Sequence, residues 1–324
     1  MRPPRTDFYY RSGAYLSQAF LRFTFARKYC KIYNVKTTVA KKPIFRDKHR
    51  RVWELDFLRG FAVIAMCFDH LMFDLAFFRS WFSNSYEVQN PFMDKLSEWA
   101  GAYWSTGYLS NTGFRFWAHY LFVFLFLFLV GVSCALSRDN TKRGSLLGVV
   151  AFAFTGVSLV LKEMGIMEDG IVFGILHCIA LSILCVAAVD NLTKFDKRVN
   201  LYAPLVIGVV ILAVGIGKNF WTMTSHYDQT FVDENFLGYI FGTHAYGDDW
   251  FGLFPYAGCV FLGMYWGKAV YSDRLSLLPA LDGKWNKPVN FVGRHALIFY
   301  LAHQVAIAGL VIIVCLCIGY NLQF

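Results

Sequence analysis

The chain has 324 residues, of which 56% are hydrophobic, 19% are aromatic and 16% are charged, and its formal net charge is +9. This composition, with a mean hydropathy of +0.42, lies outside the range of ordinary soluble domains and predicts a polytopic membrane protein. Apolar runs such as residues 121–130 are hydrophobic on every side instead of alternating, which excludes a transmembrane β-barrel. The predicted fold class is therefore all-α, an integral membrane helix bundle.

The first 50 residues form a basic segment that differs from the rest of the chain. They hold 13 Lys or Arg residues against Asp7 and Asp47. Because Lys and Arg favour the cytoplasmic side, we predict a cytoplasmic segment at residues 1–50 and a transmembrane domain at 51–324. Contact with anionic lipid heads and an organellar targeting role are alternatives for this segment. Nucleic-acid binding is not expected, because no recognised motif accompanies the charge.

Residues 56–78 are predicted to form the first membrane span, and this span carries unusual charge. At about 100° per residue, Arg59 and His70 share one helical face. A charged side chain near the middle of a span costs roughly 2.5–3.5 kcal/mol on insertion scales, so these groups should face protein or a wet cavity. The span either carries buried ion pairs that lock helices together or forms part of a functional site. Its ionisable residues are Asp56, Arg59, Asp69, His70 and Asp74.

Six further spans are predicted after an aromatic, polar loop that extends to Arg115, which makes about seven in total. The last span covers thirty residues, about 45 Å of helix, so it must tilt, kink or protrude, and an eighth, re-entrant segment is an alternative. Lys and Arg are concentrated in alternate loops, which predicts a cytoplasmic N-terminus and an external C-terminus. The predicted spans are residues 116–137, 145–161, 171–189, 201–217, 250–271 and 289–318.

This topology places a belt of cationic and amide side chains near the inner ends of the spans. Phosphate binding is one interpretation of the belt, and ordinary positive-inside anchoring is the other. Arg59 and Arg294 lie deeper than the rest, which favours a binding role for them. The belt consists of Arg59, Arg138, Asn140, Lys142, Arg143, Arg294 and His295.

Three histidines lie deeper in the predicted spans, and we expect His70, His177 and His303 to meet in the outer half of the membrane. A carboxylate can orient a histidine ring and support its charged form, so Asp69 or Asp74 is predicted to assist His70 as a general base. The same residue types also suit hydrogen-bonded core histidines or a proton relay in a transporter.

Metal and disulfide sites are not predicted. The histidines lie on separate spans without a local pair of ligands. Seven of the eight cysteines fall within apolar segments, which does not suggest a disulfide framework. The loop at 218–249 is rich in acidic residues, including Asp249, and is predicted to be a solvated acidic loop.

The run Glu54-Leu-Asp-Phe-Leu-Arg-Gly60, followed by Asp69-His70, resembles the opening of the bacterial heparan-alpha-glucosaminide N-acetyltransferase catalytic-domain family. The ten residues between Arg59 and His70 are similar to the signature of the wider transmembrane acyl transferase superfamily, whose members pass acyl groups from a cytoplasmic donor to extracytoplasmic acceptors. The resemblance covers about residues 51–310. Further blocks in family order are residues 131–144, 173–177, 251–256 and 291–304.

The resemblance implies an acyltransferase of the bacterial plasma membrane. Such an enzyme would move an acetyl group from cytoplasmic acetyl-CoA to an amine or hydroxyl of a carbohydrate or envelope component at the outer face, without a metal. His70 would act as the base that deprotonates the acceptor or, as the alternative, would carry a transient acyl group, and Asp69, Asp74, His177 and His303 would complete the catalytic group. A proton-coupled solute transporter and a noncatalytic membrane scaffold remain alternatives, and the residues indicate no particular oligomeric state. The implied donor-binding residues are Arg59, Arg138, Asn140, Arg143, Arg294 and Gln304.

Overall fold

The computed structural model describes residues 51–108, 113–165, 167, 169–220, 227–247 and 249–323. The predicted basic segment at residues 1–50 lies outside these residues. The regular elements of the described part are helices, and two isolated β-bridges pair residues that lie outside them. The α-helices are α1 (Trp53–Phe77), α2 (Pro91–Tyr108), α3 (Phe114–Leu136), α4 (Asn140–Glu163), α5 (Ile175–Thr193), α6 (Lys197–Gly217), α7 (Phe236–Phe241), α8 (Leu253–Val270), α9 (Lys287–Arg294) and α10 (Ala296–Ile318).

Six helical segments among the described residues are long and apolar enough to cross a membrane. Each corresponds to one of the predicted spans, so the predicted all-helical membrane bundle is confirmed. The remaining predicted span, residues 250–271, contains the shorter helix α8. Most residues of α8 are buried, and the helix packs against α3, α5 and α6. The membrane-capable segments are Trp53–Trp81, Phe114–Leu136, Asn140–Glu163, Ile175–Thr193, Lys197–Gly217 and Ala296–Ile318.

Small residues let α8 pack closely against its neighbours. A Cβ atom added to Gly131 of α3 would lie 1.9 Å from the carbonyl oxygen of Val260, and one added to Gly263 would lie 1.9 Å from that of Phe128. Such distances mean that the two backbones touch, as is common where membrane helices pack on glycine. The contact fixes α3 firmly against α8.

The first helix packs against α9 in the same way. A Cβ atom on Gly60 would lie 2.0 Å from the carbonyl oxygen of Val289, and one on Gly293 would lie 1.8 Å from that of Asp56. Helix α1 also contacts α2, α3 and α10. It therefore brings its polar stripe next to four other helices.

The loop predicted between the first two spans contains a helix, so that part of the prediction is wrong. Helix α2 begins at Pro91, a residue that suits the first turn because its missing N–H needs no partner there. The side chain of Asn90 accepts hydrogen bonds from the N–H groups of Phe92 and Met93, 3.1 Å each, and so caps the helix. Because α2 mixes aromatic and polar residues, its hydropathy is too low for a hydropathy argument to identify it as a helix.

The predicted span at 289–318 consists of two helices. His295, with φ −111° and ψ 25°, separates α9 from α10. The Nδ1 atom of His295 lies 2.9 Å from the carbonyl oxygen of Phe291, so the break is held by a local hydrogen bond. The kink proposed for this long segment is thus a complete interruption.

The acidic segment after α6 is ordered by side-chain hydrogen bonds. Asp228 accepts hydrogen bonds from Asn235 and Tyr239, 2.9 Å each, and lies 3.3 Å from Nδ1 of His244. Burial acts to raise the pKa of Asp228, but the hydrogen bonds outweigh it and hold this pKa below its ordinary value. Asp233 and Glu234 are exposed, as predicted for a solvated acidic loop, whereas Asp228 is half-buried and hydrogen-bonded.

Candidate active site

A cavity of about 460 Å³ lies where the beginning of α1, the end of α3 and the beginning of α4 meet. We call this region the basic end of the bundle, because its lining includes five arginines and a single carboxylate, Asp56. Guanidinium groups bind phosphate and carboxylate ions in a bidentate manner. The cavity is therefore suited to an anion with several negative charges. The arginines are Arg51, Arg59, Arg138, Arg143 and Arg274.

Arg59 is held rigidly in this cavity. Its Nη2 atom donates to Oγ of Ser133 at 2.7 Å, and its Nη1 atom donates to Oδ1 of Asp56 at 3.2 Å. The other oxygen of Asp56 accepts from Nε of Arg294 at 3.3 Å. Asp56 thus fixes two of the predicted arginines, although Arg294 itself is not part of the cavity lining.

The predicted site residues at the junction of α3 and α4 divide into two groups. Arg138 and Arg143 line the cavity. Asn140 instead donates to the carbonyl oxygen of Cys134 at 2.9 Å and accepts from Nη1 of Arg143 at 3.4 Å. It therefore joins the two helices and orients an arginine. Among the lining residues, Arg51, Ser133 and Arg274 were missed as site residues, since they come from separate parts of the chain.

A pair of histidines lies three turns further along α1. The rings of His70 and His303 are perpendicular, with their centroids 4.7 Å apart. The Nδ1 atom of His70 is 3.0 Å from the carbonyl oxygen of Met66, and that of His303 is 2.6 Å from the carbonyl oxygen of Tyr300. Because a carbonyl oxygen can only accept, each neutral ring carries its proton on Nδ1 and presents the lone pair of Nε2. Both rings are thus in the tautomer that a general base needs.

Beside this pair lie buried acceptor atoms that lack donors. Gln304 donates from Nε2 to Oδ1 of Asp74 at 3.0 Å. Within the described part of the chain, Oδ2 of Asp74, Oε1 of Gln304 and Nε2 of His303 are buried without a hydrogen-bond partner. A buried acceptor without a donor is unfavourable, so this wall suits a ligand or water that brings N–H or O–H groups.

Asp69 lies on the same helix but faces a different partner. Both of its oxygens accept from Arg115 of α3 at 2.8 Å, and Oδ1 also accepts from the hydroxyl of Tyr103 at 3.0 Å. Asp69 therefore ties α1 to α2 and α3. The expected support of His70 by a carboxylate is not seen, because the carbonyl of Met66 holds the ring instead.

His177 does not join the other two histidines. Its Nδ1 atom accepts from the N–H of Gly174 at 3.3 Å, and its Nε2 atom lies 3.2 Å from Oγ1 of Thr155. The ring contacts Phe152 and Phe173. The structure thus brings together His70 and His303 and places His177 against α4, where it caps the first turn of α5.

Asp249 is a candidate that sequence reasoning missed. Its Oδ2 atom accepts from the N–H of Ile175 at 3.3 Å and from the hydroxyl of Tyr300 at 3.4 Å. Burial raises the pKa of Asp249, whereas the N–H of Ile175 and the nearby His70 act in the opposite direction. A Cβ atom on Gly174 would lie 2.4 Å from Oδ2, so only glycine leaves room for this carboxyl group. Asp249 is thus half-buried and hydrogen-bonded instead of fully solvated, and its partners Ile175 and Tyr300 lie far away in sequence.

Metal ligands are not clustered in the described part of the chain. No group of three or more His, Cys, Asp or Glu side chains there is arranged to hold a metal ion. The seven cysteines that the structure describes are free.

Membrane-capable helices with arginines and paired histidines inside the bundle define the chain as a multi-pass membrane protein. Its sequence matches the family described as heparan-alpha-glucosaminide N-acetyltransferase, catalytic, over residues 51–94 and 92–305. The chain belongs to this family of membrane acetyltransferases, as its resemblance predicted, and the cavity and the histidine pair both lie within the matched residues. No curated protein and no solved structure matches the chain.

Proposed function

We propose that the protein transfers an acetyl group from acetyl-CoA, bound at the basic end, to an amine or hydroxyl of a carbohydrate or envelope component in the bacterial plasma membrane. One observation carries the proposal: a single helix, α1, connects the arginine-lined cavity to the His70–His303 pair about 16 Å further along. The predicted topology would put the cavity on the cytoplasmic side and the histidines nearer the outer face.

The donor would bind through its phosphates. Five arginines line the cavity, and hydrogen bonds to Ser133 and Asp56 hold Arg59 in place before a ligand arrives. Charge-assisted hydrogen bonds from such guanidinium groups are stronger than neutral ones. The long arm of the donor would then point along α1 towards His70.

The acceptor would bind on the other side of the histidines. Its N–H or O–H groups would satisfy the unpartnered oxygen of Asp74, the side-chain oxygen of Gln304 and Nε2 of His303. His70 would take the proton from the attacking amine or hydroxyl as the new bond to the thioester carbon forms. The same proton would then pass to the departing thiolate, which leaves as a thiol.

Asp249 would support this proton transfer through its charge. It is fixed by the first N–H of α5 and by Tyr300, and the ring of Tyr300 contacts that of His303, the partner of His70. A carboxylate in such a site stabilises the imidazolium that forms when His70 accepts the proton. It would thereby do from a distance what Asp69 and Asp74 were expected to do by direct contact.

The test is transfer of labelled acetyl from acetyl-CoA to an envelope extract by the purified protein. His70→Gln is expected to lower the rate by about 10²- to 10⁴-fold, the usual contribution of a general base. Arg59→Gln should instead weaken donor binding. His244→Gln, beside Asp228, and Arg79→Gln, which follows α1 and pairs with Asp94 of α2, are matched controls outside the cavity lining and should behave like the wild type.

Transfer that survives His70→Gln would contradict the proposed mechanism. Failure of the wild type to bind or use acetyl-CoA, combined with His70-dependent uptake of a solute into proteoliposomes, would favour a transporter. Inactivity in both assays would favour the scaffold.

A further inference from the structure

The connection between α8 and α9 exposes large apolar side chains although it lies outside the membrane-capable helices. Its regular structure is the 3₁₀ turn Pro279–Leu281. We call residues 275–285 the apolar loop. An exposed apolar patch of this kind marks a surface that contacts another molecule or a membrane. The side chains that keep about half or more of their surface exposed are Leu275, Leu277, Leu278, Leu281 and Trp285.

The apolar loop is fixed to the beginning of α1. The carboxylate of Glu54 is buried and accepts hydrogen bonds from Oγ of Ser276 at 2.8 Å and from the N–H of Leu277 at 2.7 Å. The indole N–H of Trp53 donates to the carbonyl oxygen of Leu278 at 3.2 Å. Because two residues of the first turn of α1 hold the loop, its leucines are kept at the surface instead of folding inwards.

The end of the apolar loop continues an apolar stripe of α1. The ring of Trp285 packs against that of Phe57, with the centroids 5.3 Å apart. On α1, Phe57 is followed at helical spacing by Phe61, Ile64 and Phe68, and all three of these are exposed. Because α1 is a membrane-capable helix, this exposed stripe faces lipid. Trp285 therefore lies at the end of a lipid-facing surface, a position in which tryptophan is enriched.

The charged residues around Trp285 fit the same boundary. Lys284 and Lys287 are exposed. Asp282 is the only acidic residue between positions 275 and 287, and it accepts a hydrogen bond from Asn286 at 3.2 Å. A lysine can bury its apolar stem in a membrane while its ammonium group stays at the phosphates. Leucine, tryptophan and lysine together are typical of a segment that lies in the membrane interface.

We propose that the apolar loop inserts into the interfacial region of the bilayer and binds phospholipid there, with Lys284 and Lys287 at the lipid phosphates. Its exposed leucines, its attachment to α1 and its continuity with a lipid-facing stripe carry this inference. That continuity favours lipid over a second copy of this chain as the occupant. The contact would hold the beginning of α1 at a fixed depth in the membrane.

The test measures depth with a nitroxide spin label on the full chain in nanodiscs of phosphatidylcholine and phosphatidylglycerol. Labels are placed with Leu277→Cys and Leu281→Cys. Insertion predicts that each label is several-fold more accessible to molecular oxygen, which partitions into the bilayer, than to a water-soluble nickel complex, relative to a control label. Glu234→Cys, at an exposed acidic position, is this control. The background replaces by serine the cysteines that a label could reach, which are Cys30, Cys67, Cys185 and Cys317.

Labels at Leu277→Cys and Leu281→Cys that reach the nickel complex as readily as the control would overturn the proposal, because the apolar loop would then lie in water. Labels shielded from oxygen and nickel alike would also overturn it, since protein would then cover the loop. A second copy would be that protein if the shielding disappeared with one chain per nanodisc. Two labelled positions keep the result independent of the folding of one variant, and the measurement requires no acetyl transfer.

Discussion

Replacement of Gly174 by alanine should lower the rate of transfer by displacing Asp249. The added Cβ atom would lie 2.4 Å from Oδ2 and 2.7 Å from the backbone oxygen of Asp249, whereas ordinary contacts begin at 3.4 Å. Asp249 must therefore move by about 1 Å, and a misplacement of that size can cost about 10²-fold in rate. The backbone at Gly174, with φ −91°, accepts alanine without strain, so the effect comes from the contact.

The assay measures the turnover rate and the affinity for coenzyme A in the same preparation. Gly174→Ala should reduce the turnover rate and leave the affinity near the wild-type value, because Gly174 lies away from the basic end. Overpacking costs typically about 1–3 kcal/mol of stability, so a thermal melt must show that the variant is folded at the assay temperature. Gly156→Ala is the matched control, since nothing lies within 4 Å of its added Cβ atom.

Asp249→Asn tests the same reasoning without the steric change. It replaces the carboxyl group that accepts from Ile175 and Tyr300 by an amide of the same size and should also lower the turnover rate. The role assigned to Asp249 is refuted if Gly174→Ala and Asp249→Asn both turn over at the wild-type rate.

Three further predictions concern stability. Gly293→Ala should destabilise the protein by about 1–3 kcal/mol, seen as a lower melting temperature, because its Cβ atom would lie 1.8 Å from the carbonyl oxygen of Asp56. Asp69→Asn should cost about 3–5 kcal/mol in denaturant unfolding, since it leaves the buried charge of Arg115 without its partner. The lowered pKa of Asp228 predicts stability that is present above its ordinary value of 3.8 and is lost as pH falls through the folded-state pKa. The melting temperature, measured at successively lower pH values in the acidic range, should therefore decrease less for an Asp228→Asn variant than for the wild type.

The membrane helices follow from hydropathy because a span must be apolar along its whole length. Periodicity also placed Arg59 on the polar stripe of α1, and the structure puts it in the cavity. Helix α2 differs because it buries Met93 and Ala100 while most of its other positions are polar or aromatic residues. Such a helix has no uniformly apolar run for a hydropathy argument to detect.

The site was only partly predictable because its contacts cross the chain. Nothing local to Asp249 shows that its carboxyl group lies next to Gly174, the residue before α5, and accepts a hydrogen bond from Tyr300 of α10. The same holds for Asp69, whose position next to His70 suggested a catalytic pair. Its partner is Arg115, which reaches Asp69 because α3 packs against α1 in the folded protein.

The two parts of the proposed site lie on one helix, and their separation restricts the donor. Arg59 and His70 are about 16 Å apart along α1. A donor whose phosphates contact Arg59 therefore reaches His70 only if an extended arm joins the phosphates to the acyl group. An acyl phosphate has no such arm, because its acyl carbon is bonded directly to a phosphate oxygen. The arrangement thus favours a thioester on a long carrier over an acyl phosphate, which is a restriction that residue types alone do not impose.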